Sequence, residues 1–243
     1  PKSRNALSRV MMAAIEATLQ CLAHEQDINA IVIAAEGPAF CAGHDLKELT
    51  AHRSAPDGGK AFYAETMRAC SSMMMSVVNC PKPVIAAVDA MATAAGCQLV
   101  ATCDLAVAGG GAKFCTPGVN IGLFCSTPMV ALSRNVSRKK AMEMLLLGEL
   151  IDAVDAEKYG LINKVVPDGQ ALDGALEFAK VIASKSPLTV AYGKQAFYAQ
   201  LEKPLPEAYS FASDVMVQNM MASDAQEGIG AFLEKRQPEW KGC

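Results

Sequence analysis

Two rhythms of apolar residues run through the chain. In the first half, short unbroken apolar runs alternate with segments of helical period. In the second half the helical period dominates. The runs at 30–35, 84–88 and 105–108 have the length of buried strands, and 113–116 reads as a further short one. Ser8 is placed to cap a first helix, with Val10, Met11, Ala14, Ile15, Leu19 and Leu22 on one face. Helical period returns at 45–49, at 62–78 and, briefly, at 97–101. The long middle helix must stop at Cys80-Pro81-Lys82-Pro83, since proline lacks the donor and restricts its predecessor. Helices are then expected near 128–135, 138–147, 153–159, 170–183, 187–200, 205–221 and 224–234. Residues 51–60, with Pro56, Gly58 and Gly59, predict a mobile loop. Residues 89–96 read as a small-residue loop. Gly109-Gly110-Gly111 reads as a turn, because it lacks the Lys-Ser/Thr of a phosphate loop.

One stretch stands out against this pattern: Phe40-Cys41-Ala42-Gly43-His44-Asp45-Leu46-Lys47. It leaves a strand and enters a helix, where backbone N–H groups have no partner of their own and can be lent to a ligand oxygen. Composition narrows what that ligand is. The chain has 243 residues, 51% apolar and 19% charged, enough for one large core. A net charge of −3 argues against nucleic acid as a main partner. No run approaches a membrane span of ~20 apolar residues. Nine cysteines without C-x-x-C spacing read as reduced thiols, and three histidines without partner spacing predict no metal site. Met73-Met74-Met75 suits either core or the wall of an acyl-chain pocket. Arg134, Arg138, Lys139 and Lys140 read as a solvated helix end. The chain opens on Pro1-Lys2-Ser3-Arg4-Asn5 without a signal or transit segment, as a chain trimmed of a targeting peptide would.

A series of motifs, weak singly, is specific in its order. It comprises Arg4-Asn5-Ala6-Leu7, the Phe40–Lys47 stretch, Pro81-Lys82-Pro83-Val84-Ile85-Ala86-Ala87-Val88 and Ala95-Gly96-Cys97-Gln98-Leu99. It continues with Cys103-Asp104-Leu105-Ala106-Val107-Ala108, Asn120-Ile121-Gly122, Ala156-Glu157-Lys158-Tyr159-Gly160-Leu161-Ile162 and Glu227-Gly228-Ile229-Gly230-Ala231-Phe232-Leu233-Glu234-Lys235-Arg236. From end to end the chain resembles the crotonase (enoyl-CoA hydratase/isomerase) family. The resemblance implies an α/β fold of repeated ββα units, a ClpP/crotonase-like spiral over residues 1–185, and a C-terminal helical trimerisation region over 186–243. It also implies a homotrimer or a dimer of trimers, a location in the mitochondrial matrix and a role in fatty-acid and lipid metabolism. No cofactor is implied; a coenzyme A thioester is the expected ligand.

By that resemblance the backbone N–H groups of His44 and Ala95 form an oxyanion hole for the thioester oxygen. The Ala95 N–H sits where a short helix over Gly96–Ala101 begins, and helix N-termini favour negative charge. Lys2, Ser3, Arg4, Asp45, Leu46 and Lys47 match the positions that hold the adenine and phosphates, and Phe232 and Lys235 match those that close over the nucleotide. The family's hydratases use two glutamates as general acid and base. Their positions here are Gln98 and Gly118, and neither titrates. Two readings follow. The chain is an acyl-CoA-binding protein without true hydratase activity, or it is a lyase such as a methylmalonyl-CoA-type decarboxylase that needs only the hole. The run Ala42-Gly43-His44-Asp45 resembles the corresponding run of methylmalonyl-CoA decarboxylase, but Cys125 stands where that enzyme has a pocket tyrosine. His44 either orients a carboxylate or donates a proton, or serves only through its backbone N–H. Cys125 is either a pocket thiol or a packed side chain. Of the remaining acids, Asp89, Asp104, Glu143 and Asp152, Asp104 is expected to hold a strand end.

Overall fold

The computed structural model describes residues 2–243. The first helix, α1 (Arg9–His24), starts where Ser8 Oγ accepts a hydrogen bond from the Met11 N–H. Its inward face is Met12, Ile15, Leu19 and Leu22, while Val10 and Met11 are exposed. This corrects the expected face. The run from Val10 to Ile15 is apolar almost all round, so its period admits two neighbouring stripes, and the core takes the one containing Met12.

Strands come in pairs. β1 (Ile31–Ala34) is followed by β2 (Ala39–Cys41), β3 (Val84–Val88) by β4 (Met91–Thr93), and β5 (Leu105–Gly109) by β6 (Lys113–Cys115). The first member of each pair enters one parallel sheet and the second member enters another. The helices between pairs are α2 (Leu46–Ala51) with α3 (Lys60–Asn79), then α4 (Ala95–Thr102). The chain thus winds as a spiral of ββα turns, as the resemblance implied. Two late strands complete the sheets: β7 (Ile151–Asp152) pairs antiparallel with β6, and β8 (Lys164–Val166) pairs parallel with β5. β3 is buried along its whole length, which is why it reads as a continuous apolar run without alternation.

The later helices are α5 (Pro128–Asn135), α6 (Arg138–Leu147), α7 (Ala153–Tyr159), α8 (Ala171–Ala183), α9 (Pro187–Leu201), α10 (Leu205–Met221) and α11 (Ser223–Glu234). α8 covers the outer face of the first sheet, with Ala171 and Ala175 against Ile85 and Val107. Asp89 caps α8, accepting from the Ala171 N–H. α9, α10 and α11 pack on one another.

A buried charge ties α9 to the spiral. Lys194 Nζ lies 2.7 Å from Asp104 Oδ2 and donates to the Val77 and Lys82 carbonyls at 2.9 and 3.0 Å. Asp104 also accepts from the Val84 N–H at 2.7 Å and the Tyr198 hydroxyl at 2.9 Å. One carboxylate therefore holds the starts of β3 and β5 and the inner face of α9 together, the strand-end role expected of Asp104. Arg134, Arg138, Lys139 and Lys140 lie at the surface, with Arg134 paired to Glu202 and Lys140 to Glu143. Among the described residues no helix is long and apolar enough to cross a membrane.

Candidate active site

The site is built where β2 and β4 end. These strands run parallel, with Cys41 opposite Ala92, so the residues that follow each strand emerge side by side. Gly43 and Ala94–Ala95 meet there. A Cβ on Gly43 would lie 3.0 Å from Ala94 Cβ and 3.4 Å from the Ala95 nitrogen, and Gly43 has φ +85°. One turn further, Gly96 lies against Cys41, where a Cβ would sit 2.7 Å from that residue's own Cβ. Both glycines are there because two backbones approach closely. Ala94 has φ 50° and ψ −117°, a conformation that costs a side-chain-bearing residue about 1–3 kcal/mol. Its N–H donates to the Cys115 carbonyl at 2.9 Å, so β6 holds it in place.

The result is a pair of free donors. Among the described residues, neither the His44 N–H nor the Ala95 N–H has a backbone or side-chain acceptor. Ala95 is 1% exposed and is the first residue of α4, so its N–H adds the positive end of that helix. Two such donors, at adjoining strand ends, can stabilise an oxygen that gains negative charge. Loss of one donor from a hole of this kind costs about 3 kcal/mol.

The N-terminal segment is tied to this edge. The Ala42 N–H donates to the Arg4 carbonyl at 3.1 Å and the Leu7 N–H to the Gly43 carbonyl at 2.8 Å. Lys2, Ser3 and Arg4 are exposed beside the stretch, as are Leu46 and Lys47 on its far side. Asp45 caps α2, its Oδ1 accepting from the Lys47 and Glu48 N–H groups at 2.9 and 3.2 Å. Phe232 and Lys235 stand apart. They close α11, which packs on α9 and α10, and both are exposed. Among the described residues no hydrogen bond or ion pair links either to residues 42–47.

The side chains of the site are neutral. The imidazole of His44 is half-buried, and burial pushes its pKa below the ordinary value, opposed by the Leu7 backbone and the charge of Glu48. The Leu7 backbone lies near the ring, but neither ring nitrogen makes a hydrogen bond of full geometry. Gln98 lies in the first turn of α4, 5% exposed, and its Oε1 is buried without a partner. Gly118 is buried in a short 3-10 turn, Pro117–Ile121. A Cβ there would lie 2.6 Å from the Leu123 carbonyl oxygen and 2.9 Å from Cys125 Sγ. The space a glutamate stem needs is filled. Cys125 is that filler: it is buried, and desolvation raises its pKa, so the thiol stays protonated. Cys41 and Cys115 are likewise pushed up to about 11 by burial.

A fourth unpartnered buried atom, the Tyr63 hydroxyl on α3, is one that reading the sequence passed over. A lone tyrosine in an amphipathic helix gives no signal of its own. Asp89 is spent on capping α8, Asp104 on the strand starts and Asp152 on capping α7. Glu143 is exposed and paired with Lys140. All four of these acids thus have partners of their own.

Two sheets wound by ββα turns, with paired backbone donors at adjoining strand ends, define the crotonase class of α/β protein. Comparison with known proteins agrees. The enoyl-CoA hydratase/isomerase family model matches residues 1–243. Enoyl-CoA hydratase domain-containing protein 3, mitochondrial, of Rattus norvegicus is 50% identical over 240 residues, 99% of this chain and 78% of that one. The human protein of the same description has a solved structure at TM-score 0.93 and 49% identity, with 99% of this chain and 93% of that chain covered. A solved enoyl-CoA hydratase of Mycobacterium smegmatis superposes with TM-score 0.93 at 48% identity, covering 99% of this chain and 91% of that one. The chain belongs to the enoyl-CoA hydratase/isomerase family.

Proposed function

We propose that the protein binds a coenzyme A thioester and holds its carbonyl oxygen between the His44 and Ala95 N–H groups without hydrating an enoyl chain. The observation that carries this reading is the contrast at one site. The two donors are free and rigidly placed, while the positions for acid–base chemistry hold a neutral amide at Gln98 and a filled gap at Gly118. Acid–base groups contribute about 10²–10⁴-fold each, so enoyl hydration falls close to background. Lys2, Ser3, Arg4, Asp45, Leu46 and Lys47 form the cradle for the adenine and phosphates. Phe232 and Lys235 close over the nucleotide from a neighbouring subunit of a homotrimer or a dimer of trimers, assembled through residues 186–243 beside a spiral core of 1–185. The relatives described as mitochondrial support a mitochondrial location; the matrix and a role in lipid metabolism follow from the family resemblance alone.

A second reading rests on His44. A neutral, desolvated imidazole beside the donors suits decarboxylation of a methylmalonyl-type thioester, in which carbon dioxide leaves without a base and the enolate oxygen is received by the hole. The pure protein at high concentration, incubated with crotonyl-CoA, methylmalonyl-CoA and ethylmalonyl-CoA, separates these. Tight binding with no product supports the binding protein. Carbon dioxide release that is lost in His44→Ala supports the lyase. Rapid hydration of crotonyl-CoA overturns both.

A further inference from the structure

Residues 236–243 form no helix or strand, yet they are bound to α11 from its end back to its start. α11 has 12 residues, about 18 Å, and a strap of this length can reach about 26–29 Å when extended. At the end of the helix the Arg236 guanidinium donates to Glu227 at 2.6 and 2.8 Å and to Glu234 at 2.7 Å. The Glu239 N–H donates to Glu227 at 2.9 Å. Midway, Gly228 leaves room for Trp240, whose ring would lie 3.0 Å from a Cβ there. The Trp240 indole N–H donates across to the Ser184 carbonyl, just past α8, at 2.8 Å. At the start of the helix Asp224, 1% exposed, accepts from the Lys241 and Gly242 N–H groups at 2.7 and 3.0 Å. It also accepts from the Ser186 hydroxyl, the cap of α9, at 2.6 Å.

The strap thus lies along the side of α11 that carries Asp224, Glu227 and Gly228. Ile229, Phe232 and Leu233, each five residues further on, stand about 140° round the helix and are exposed. Strap and helix meet at Lys235, which is left-handed with φ 58°, a conformation that helix ends usually give to glycine. The Arg236 N–H closes that turn onto the Ala231 carbonyl at 3.0 Å.

We propose that Asp224 and Glu227 are positioning residues for the nucleotide end of the ligand site. By clamping the strap they hold α11 and the turn at Lys235, and so set where Phe232 and Lys235 meet the nucleotide of coenzyme A. This rests on the reading above that places those two residues over the nucleotide. Order imposed by folding is order that binding does not have to supply. Charge and positioning pull in opposite directions here. Neutralising either acid would favour a polyphosphate ligand on charge alone, whereas loosening the strap weakens its binding.

Calorimetric titration of the full chain with butyryl-CoA, free coenzyme A and S-butyryl-pantetheine, which lacks the nucleotide, tests this, with hydrogen exchange followed over 236–243. In Glu227→Gln, Asp224→Asn and Trp240→Ala the strap is expected to lose protection and affinity for both coenzyme A ligands to fall about tenfold. Affinity for S-butyryl-pantetheine stays as in the parent, and the melts stay cooperative. Trp240→Ala keeps both acids and removes only an anchor of the strap, so its effect owes nothing to their charge. Coenzyme A affinity unchanged or raised in Glu227→Gln and Trp240→Ala overturns the proposal, as does an equal fall for S-butyryl-pantetheine or a strap that keeps its protection. Lys235→Gln separates the two levels. If it binds free coenzyme A as the parent does, the reading beneath fails; if it loses affinity while Glu227→Gln does not, only this inference fails.

Discussion

At the scale of single residues, the site depends on what is small and what is neutral. Gly43 sits with φ +85° against Ala94 and Ala95. Gly43→Ala must strain its own backbone and push the two donor-bearing segments apart, so acyl-CoA affinity is expected to fall by at least tenfold with the melt lowered by only a few degrees; titration calorimetry and thermal melting check this. His44 sets a pH dependence. Burial lowers its folded-state pKa, so the unfolded chain binds the extra proton. Its contribution to stability is present above the unfolded value of about 6.5 and is lost as pH falls towards the folded value. Urea midpoints are expected to drop as pH falls below about 6.5, and to drop less in His44→Asn. The carboxylates held down by hydrogen bonds, Asp57 and Asp224, and Glu227, lowered to about 2 by Arg236, lose their stabilisation at more acid pH, in a separate window.

At the scale of elements, the sequence makes the long strands and helices legible and hides the short ones. β3 announces itself because burial on both faces leaves an unbroken apolar run. β2, β4 and β8 have three residues each and β7 has two, too few for any period to show, although β6, equally short, reads as a strand from its sequence. Their existence is set by pairing with distant segments, and β4 lies inside what the pattern reads as a small-residue loop. Free backbone N–H groups leave no mark in side-chain chemistry, so the sequence points to His44 and Ala95 only through motif resemblance, and their role as donors to a ligand stays a proposal. The filled space over Gly118 was not legible, because it depends on the loop from Leu123 to Cys125 folding back. Lys194 was equally invisible: a lysine in an ordinary helix gave no hint of a buried pair with Asp104. Lys194→Met removes the cation while leaving Asp104, the Val77 carbonyl and the Lys82 carbonyl buried. The expected cost is about 3–5 kcal/mol, read from urea denaturation, with α9 the first element to lose hydrogen-exchange protection.

At the scale of the whole molecule, the C-terminal helices present more apolar surface than a lone chain normally exposes. Leu205, Tyr209, Met216, Val217, Met221 and Phe232 are each 60% exposed or more. Under the proposed trimer, assembly through this surface covers them and brings Phe232 and Lys235 towards a neighbour's coenzyme A site. Light scattering after size exclusion is expected to give a mass of three or six chains, and Phe232→Glu to weaken both assembly and coenzyme A binding. In the function proposed above, a crotonase spiral keeps donors for a thioester oxygen and lacks an acid and a base at Gln98 and Gly118. The most direct measurement follows the enoyl absorbance of crotonyl-CoA mixed with stoichiometric protein. The account predicts that the thioester binds and its absorbance decays no faster than in buffer. Hydration at rates typical of enzymes, abolished by Gln98→Ala, would contradict it.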